Sequence, residues 1–308
     1  MKNSLHRSML ILPIHVRHFV EKAHLRGADA VVLDLEDAVP PAEKQAARGL
    51  VEQSVQLVGR GGADVLIRVN NDPALLFDDL EASVDPGVHG VFLPKVESAN
   101  EVSRVGAHLA DLETAKGMPP GGIKLSIHIE SPTGLLKIQE IAGASPRIQS
   151  MSLGMDDYRL ELGVEPSEDG VEMLFPLSLM ITVCKAHRIS PLGILGSVAR
   201  VRDLDGFERA AERARQLGCV GAFCVHPDQV AILNRVFSPS PRDVEHARRV
   251  VAAFEEGSKI GRAAVTLDGG MVDTPIYKRA QVMLERLEAV REVERRKCEA
   301  MERLGNPN

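Results

Sequence analysis

Two carboxylates, Glu130 and Asp157, each follow a short apolar run, Lys124 to Ile129 and Met151-Ser152-Leu153. Carboxylates brought to one mouth, with waters and an oxygen-rich substrate, complete the octahedron that Mg2+ prefers. A structural ion pair across the mouth would use the same residues, and at this level both readings stay open. Asp34, Glu36 and Asp37 form a second acidic group after Ala30-Val31-Val32-Leu33. Their charges repel unless a cation or backbone amides offset them; Glu36 or Asp37 is equally placed to cap a helix before Pro40-Pro41. Arg68 offers a planar fork suited to a carboxylate, whether of a substrate or of that cluster. Lys95, behind Pro94, is placed to pair with Glu36 or to lie along a rim.

Elements that could carry these groups recur along the chain. Apolar runs near 8–13, 30–35, 64–69, 89–93, 123–129, 148–153, 191–195 and 221–225 alternate with amphipathic stretches. Those stretches lie at 13–27, 41–59, 98–115, 133–143, 167–187 and 202–217. Continuous apolar runs are the mark of parallel strands buried on both faces, and strand–helix alternation predicts βα units. Eight strands predict a TIM (β/α)8 barrel, whose strand C-termini form the active-site face. Ser238-Pro239-Ser240-Pro241 ends it, so the expected division is a catalytic barrel over 1–237 and a C-terminal extension over 238–308. The extension reads as a helix near 241–260, a short apolar run at 263–267 and a charged final helix, a helical lid or arm.

Composition narrows the function. A net charge of -6 without a clustered basic stripe argues against nucleic acid, and 3% aromatic residues with no Trp argue against base stacking. Four cysteines without a CxxC pair predict reduced thiols rather than a disulfide framework or zinc ribbon. Leu10-Ile11-Leu12 is cut by Pro13 and no run is long enough to cross a bilayer, so a cytoplasmic protein that binds neither membrane nor nucleic acid is expected. Gly59-Arg60-Gly61-Gly62 is misplaced for a dinucleotide fingerprint, and no Gly-x-Ser-x-Gly elbow is present. Ser131-Pro132-Thr133-Gly134 reads as a turn, and His226 as a hydrogen-bonded strand-end histidine.

Six motifs in order carry a resemblance: Arg7-Ser8-x-Leu10-x-x-Pro13, Asp34-Leu35-Glu36-Asp37-Ala38-Val39, Ile67-Arg68-Val69-Asn70, Leu93-Pro94-Lys95-Val96, Ile129-Glu130-Ser131 and Leu153-Gly154-x-x-Asp157. The chain resembles the HpcH/HpaI aldolase/citrate lyase superfamily, closest to its CitE-like branch with malyl-CoA and citramalyl-CoA lyases. The resemblance implies a lyase that makes or breaks a carbon–carbon bond between an acyl-thioester enolate and a 2-oxo acid. It implies Glu130 and Asp157 as ligands of Mg2+, with Mn2+ as a substitute, and Arg68 as the contact to the reacting oxygens. Backbone amides at Gly154, Met155 and Asp156 would hold a carboxylate, with Glu36, Lys95 and Arg7 on the substrate side. Asp37 stands where the HpcH branch has its histidine base. Gly270-Met271-Val272-Asp273-Thr274-Pro275 resembles the segment of acyl-CoA lyases whose aspartate is the acid/base carried to a neighbouring subunit. This implies catalysis by Asp273 and a homo-oligomer, trimer or hexamer.

Citrate lyase β-subunits are expected to lack that segment, which favours free CoA thioesters, cleaved to acetyl-CoA plus pyruvate or glyoxylate. One departure is Ala222 after Gly221, where relatives often carry a lysine that contacts CoA. The alternatives are a citrate lyase β-subunit acting on citryl-acyl carrier protein and an HpcH-type aldolase on free 4-hydroxy-2-oxo acids. A non-catalytic CoA-binding barrel is the reading that Arg68, Glu130, Asp157 and Asp273 speak against.

Overall fold

The structure, a computed structural model, describes residues 5–305; positions 1–4 and 306–308, the outer ends of the two expected segments, lie outside the described residues. Eight parallel strands follow in chain order: β1 (Ser8–Pro13), β2 (Ala30–Asp34), β3 (Asp64–Arg68), β4 (Gly90–Leu93), β5 (Lys124–Ile129), β6 (Ile148–Leu153), β7 (Ser190–Leu192) and β8 (Ala222–Cys224). Neighbours in sequence from β1 to β7 pair in parallel, and β8 returns to pair with β1. This is a (β/α)8 TIM barrel, with every strand at an apolar run.

The last two strands have three residues each, shorter than their runs. Between them the barrel closes by the bridge Leu192–Gly221 and by hydrogen bonds from Gly193 N to Gly221 O and from Val220 N to Pro191 O, both 2.9 Å. Gly221 is required there, because a Cβ would come within 1.8 Å of His6 O.

Strand side chains alternate between two cores, as the pleat demands. Met9, Ala30, Val32, Leu66, Phe92, Leu192 and Phe223 pack together as one cluster inside the barrel. Val31, Leu33, Val65, Ile67, Val91 and Leu93 face the helices. The helical layer differs from expectation in places. The 41–59 stretch is a 3-10 turn, Pro41–Glu43, and two helices, Lys44–Arg48 and Val51–Gly59. The 133–143 stretch divides at Lys137 into Pro132–Leu136, capped by Ser131 Oγ on Gly134 N, and Ile138–Ala142. Helices Leu76–Ser83, Met155–Leu162 and Pro227–Val236 were not anticipated. Their apolar stripes are short, which weakens the periodic signal, and of the three only Pro227–Val236 has a side-chain N-cap, from His226.

Packing separates a compact unit that runs to Phe237 and resumes at Glu299 from a second, Ser238–Cys298. The second contains helix Pro241–Lys259, the antiparallel pair β9 (Val265–Leu267) and β10 (Gly270–Val272), and most of helix Thr274–Gly305. Its own core joins Ala247, Val250, Val272 and Ala280, with Phe254 stacked on Tyr277 at 4.5 Å. No helix of the described residues is long and apolar enough to cross a membrane.

Candidate active site

Counting by two along the strands positions the site. Ala30, Val32 and Asp34 form one inward row, Asp64, Leu66 and Arg68 another, and Ser126, His128 and Glu130 a third. Ser150 and Ser126 meet inside the barrel at 2.8 Å. Asp34, Arg68 and Glu130 therefore arrive together at the C-terminal mouth.

Asp34 is fully buried and organises one side of the mouth. Arg68 Nε donates to Asp34 Oδ1 at 2.7 Å while Nη2 donates to Oδ2, a bidentate fork. Asp34 also accepts from the backbone amides of Glu36, 2.8 Å, and Ala38, 3.2 Å. The Arg68 fork extends to Glu36 through Nη1 at 3.1 Å. Lys95 Nζ bridges Glu36 at 2.5 Å and Asp37 at 3.0 Å, and its backbone amide donates to Glu130 Oε1 at 3.0 Å. Burial alone would lower both cations' pKa values, but these carboxylates outweigh it and hold Arg68 and Lys95 charged. Burial raises Glu36 despite Arg68 and Lys95. Burial would raise Asp37 too, but its hydrogen bond and charge interaction with Lys95, aided by Arg68, hold it below the ordinary value.

Glu130 is the opposite case. Burial, followed by the charges of Glu36 and Asp157, pushes its carboxyl up to about 8. Gly154 presses against it: a Cβ there would lie 2.6 Å from Glu130 Cγ and 2.9 Å from His128 Nε2. His128 sits below, with Nδ1 2.5 Å from Ser152 Oγ and its ring 5.1 Å from Phe92 and 5.9 Å from Phe223. Burial, then the Arg68 and Lys95 charges, push this imidazole down to about 3, so it is neutral at physiological pH. These groups line a cavity of about 180 Å³ with Asp157. A larger cleft of about 1000 Å³ adjoins it at Asp156 and Gly196, lined by charges of both signs without a convergent set.

Several expected residues have other places. Arg7 precedes β1 and forks onto Asp29 with Nε–Oδ2 2.8 Å and Nη2–Oδ1 2.7 Å, buried at the N-terminal end of the barrel. It lies a strand length, roughly 20 Å, from the mouth, so it is a scaffold residue and not a substrate contact. Neither Glu36 nor Asp37 caps a helix; the 3-10 turn Pro41–Glu43 has Pro40 as its N-cap and no side-chain cap, because Lys95 and Arg68 take those carboxylates. The ion pair also makes Asp37 a fixed anion rather than a ready base. Gly154 N is spent on Ile129 O at 2.8 Å, which leaves the amides of Met155 and Asp156 at the open start of helix Met155–Leu162. The Asp156 side chain holds Ser197 at 2.8 Å and Arg159 at 3.3 Å. His226 caps helix Pro227–Val236, accepting from Asp228 N at 3.3 Å. Asp273, in the second unit, accepts from Ile276 N at 3.2 Å and so caps the final helix.

His128 carries no signal of its own in the sequence, and Asp34 stands there only as one member of an acidic cluster. Both follow from alternation: His128 shares the inward parity of Glu130, and Asp34 that of Ala30 and Val32.

The HpcH/HpaI aldolase/citrate lyase family model matches residues 7–227. The citrate lyase subunit beta of Escherichia coli K12 is 35% identical over 288 residues, 93% of this chain and 95% of that protein. The (3S)-malyl-CoA thioesterase of Cereibacter sphaeroides is 34% identical over 285 residues, 92% and 95% of the two chains. The crystal structure of CitE from Mycobacterium tuberculosis in complex with magnesium, acetoacetate and coenzyme A superposes with a TM-score of 0.72 at 26% identity, covering 93% of this chain and all of that one. The chain belongs to the HpcH/HpaI aldolase/citrate lyase family and is a CitE-like lyase.

The citrate lyase match corrects one expectation. Coverage of 93% of this chain exceeds what residues 1–237 alone could supply, so much of the extension is aligned with that β-subunit. Its presence does not separate CoA esters from carrier-protein thioesters.

Proposed function

We propose that this chain is a Mg2+-dependent carbon–carbon lyase acting on a 3-hydroxyacyl-CoA thioester such as citramalyl-CoA or malyl-CoA. It would release acetyl-CoA with pyruvate or glyoxylate, or condense them in the reverse direction. The observation that carries this reading is the Glu130–Asp157 carboxylate pair packed at one mouth beside the Arg68 fork. The magnesium and coenzyme A of the CitE complex and the malyl-CoA named for the thioesterase support it.

The donors fit the metal. Among the described residues no group of three or more His, Cys, Asp or Glu is arranged around a common point. Two carboxylates suit Mg2+, which keeps positions for waters and a chelating substrate. Glu130, whose ionised form burial and the neighbouring carboxylates disfavour, would be held as a carboxylate by the countercharge of a divalent cation. When bound, Mg2+ supplies Lewis-acid polarisation of the substrate oxygens, and Mn2+ serves as a substitute with the same oxygen preference.

The chain's own residues do the rest. Arg68, fixed by Asp34 and Glu36, presents its remaining N–H groups where charge develops on the hydroxyl oxygen. The amides of Met155 and Asp156 at a helix N-terminus receive the oxo acid's carboxylate. Lys95 and Asp37 keep Glu36 and the fork in place. In cleavage the hydroxyl proton leaves to a carboxylate of the mouth or to solvent, and the carbon–carbon bonding pair passes into the thioester as an enolate. Asp273 of a neighbouring subunit then protonates the enolate carbon. The enzyme is accordingly a homo-oligomer, trimer or hexamer, and cytoplasmic.

Comparing citramalyl-CoA, malyl-CoA, citryl-acyl carrier protein and free 4-hydroxy-2-oxo acids side by side with Mg2+ tests the reading. CoA-ester cleavage lost in Glu130→Gln and Asp157→Asn is expected. Turnover of the carrier-protein thioester alone would favour the second reading, a citrate lyase β-subunit, to which the 35% identity lends support.

A further inference from the structure

The mouth cavity has an apolar side interrupted at one place. Phe92 and Phe223 stack there at 4.7 Å beside Ile11, and Ile194, Val198 and Val225 continue it toward the rim. Set against the two aromatic rings is His128, which also lines the cavity. Its partner Ser152 is buried and has one proton to give. The nearer acceptor is His128 Nδ1 at 2.5 Å, with Ile127 O out at 3.5 Å, so the network assigns Nδ1 as acceptor and leaves the ring hydrogen on Nε2. Nε2 keeps that hydrogen whether the ring is neutral or protonated, and among the described residues no group accepts it. The point where a Cβ on Gly154 would sit is 2.9 Å from Nε2 and 2.6 Å from Glu130 Cγ, so the unmet donor stands beside the Glu130 side chain.

Resting on the lyase reading above, we infer that His128 is a specificity-determining residue, whose Nε2–H donates to a hydroxyl group on C3 of the bound 2-oxo acid. On that reading the acid's carboxylate and carbonyl oxygens belong to the metal and to Arg68, and its substituent is what remains to meet the aromatic side. A hydroxymethyl group suits the place. Its methylene packs on Phe92 and Phe223, and its oxygen accepts from Nε2 without bringing another negative charge beside Glu130. A methyl or ethyl substituent would displace water from the donor and leave it unmet, and sites built around such a donor discriminate against analogues that lack the acceptor. The chemistry is otherwise unchanged: in condensation the enolate carbon bonds to C2 and the carbonyl oxygen gains a proton. The thioester product then carries the hydroxymethyl group on the same carbon as its hydroxyl, and the site takes acids beyond those with hydrogen or methyl substituents.

Hydroxypyruvate and 2-oxobutyrate provide the test, because they match in size and only the first has the acceptor. Calorimetric titration of the full-length protein with each acid and with pyruvate, in the presence of Mg2+ and without thioester, is expected to show hydroxypyruvate binding more tightly than 2-oxobutyrate by roughly tenfold or more. His128→Phe keeps a ring against Phe92 and Phe223 but has no N–H, and should erase that advantage. Ser152→Ala removes the proton that fixes the tautomer and should reduce it. Equal binding of hydroxypyruvate and 2-oxobutyrate by the wild-type protein, with either bound, overturns the inference and leaves the lyase reading standing. An advantage that persists undiminished in a folded His128→Phe overturns the role of His128. Failure of all three acids to bind overturns the inference and the lyase reading together.

Discussion

Asp34 and Arg68 are register partners on adjacent strands, and the guanidinium of one lies flat across the carboxylate of the other. Their pairing makes the mouth's main cation part of the scaffold as well as of the chemistry. Asp34 is fully buried, while Arg68 keeps 15% of its side chain exposed to the cavity.

Arg68 should consequently show two separable phenotypes. Arg68→Lys keeps the charge but loses the fork, and kcat/KM is expected to fall by about 100- to 1000-fold. Arg68→Met leaves Asp34 charged and unpaired, at a cost of about 3–5 kcal/mol in urea unfolding. A fully active Arg68→Lys, or a Met variant as stable as wild type, would contradict this assignment.

The metal-free protein should be less stable at higher pH. Folded Glu130 holds its proton up to about pH 8, whereas in the unfolded chain it titrates near 4.5. Between those values the folded state binds the extra proton, so this contribution is full below the lower value. It is lost at about 1.4 kcal/mol per pH unit as pH rises toward the upper one. Glu130→Gln should flatten that part of the profile. Matching melting profiles for the two proteins from pH 5 to 8 would refute the shift.

Mg2+ binding near pH 7 should then expel a proton. Calorimetric titration in buffers of different ionisation enthalpy is expected to show release of up to one proton per site in the wild type. Asp157→Asn should weaken binding at least tenfold, and Glu130→Gln should abolish the proton release. Wild-type affinity in both variants would remove them from the metal site.

Gly154→Ala probes the same site without touching a ligand atom. The backbone at Gly154, with φ near -79°, accepts alanine, but the new Cβ would displace Glu130. Mg2+ affinity should drop by about 10- to 100-fold, as when a group that orients a ligand is removed, with little change in melting temperature. Unaltered affinity would mean that Glu130 relaxes freely.

Complementation tests Asp273. Glu130→Gln and Asp273→Asn, each inactive alone, should recover part of the activity when co-expressed into mixed oligomers, since some sites then pair an intact Glu130 with an intact Asp273. No recovery in assemblies shown by native mass spectrometry to be mixed would place Asp273 on its own barrel or outside the chemistry.

The strands were legible because each buried parallel strand is a continuous apolar run, and the residues after β2, β3, β5 and β6 marked the mouth. Position along a strand was harder to read. Arg7 belongs to a motif in sequence yet lies at the opposite end of β1, where only the three-dimensional pairing with Asp29 reveals its task. His128 was hidden because a polar residue inside an apolar run gives no signal until the pleat assigns it a side. The acidic cluster was visible, but the division of labour within it depends on which oxygens Arg68 and Lys95 reach.

The short seam between β7 and β8 divides the mouth by adaptability. Metal-side residues stand on the well-laddered strands, while Ile194, Val198 and Val225 follow strands joined by a single bridge. Drift along that edge can re-tailor which acid is admitted while the reaction centre is left untouched, so lineages with new substrate ranges should differ first at the seam.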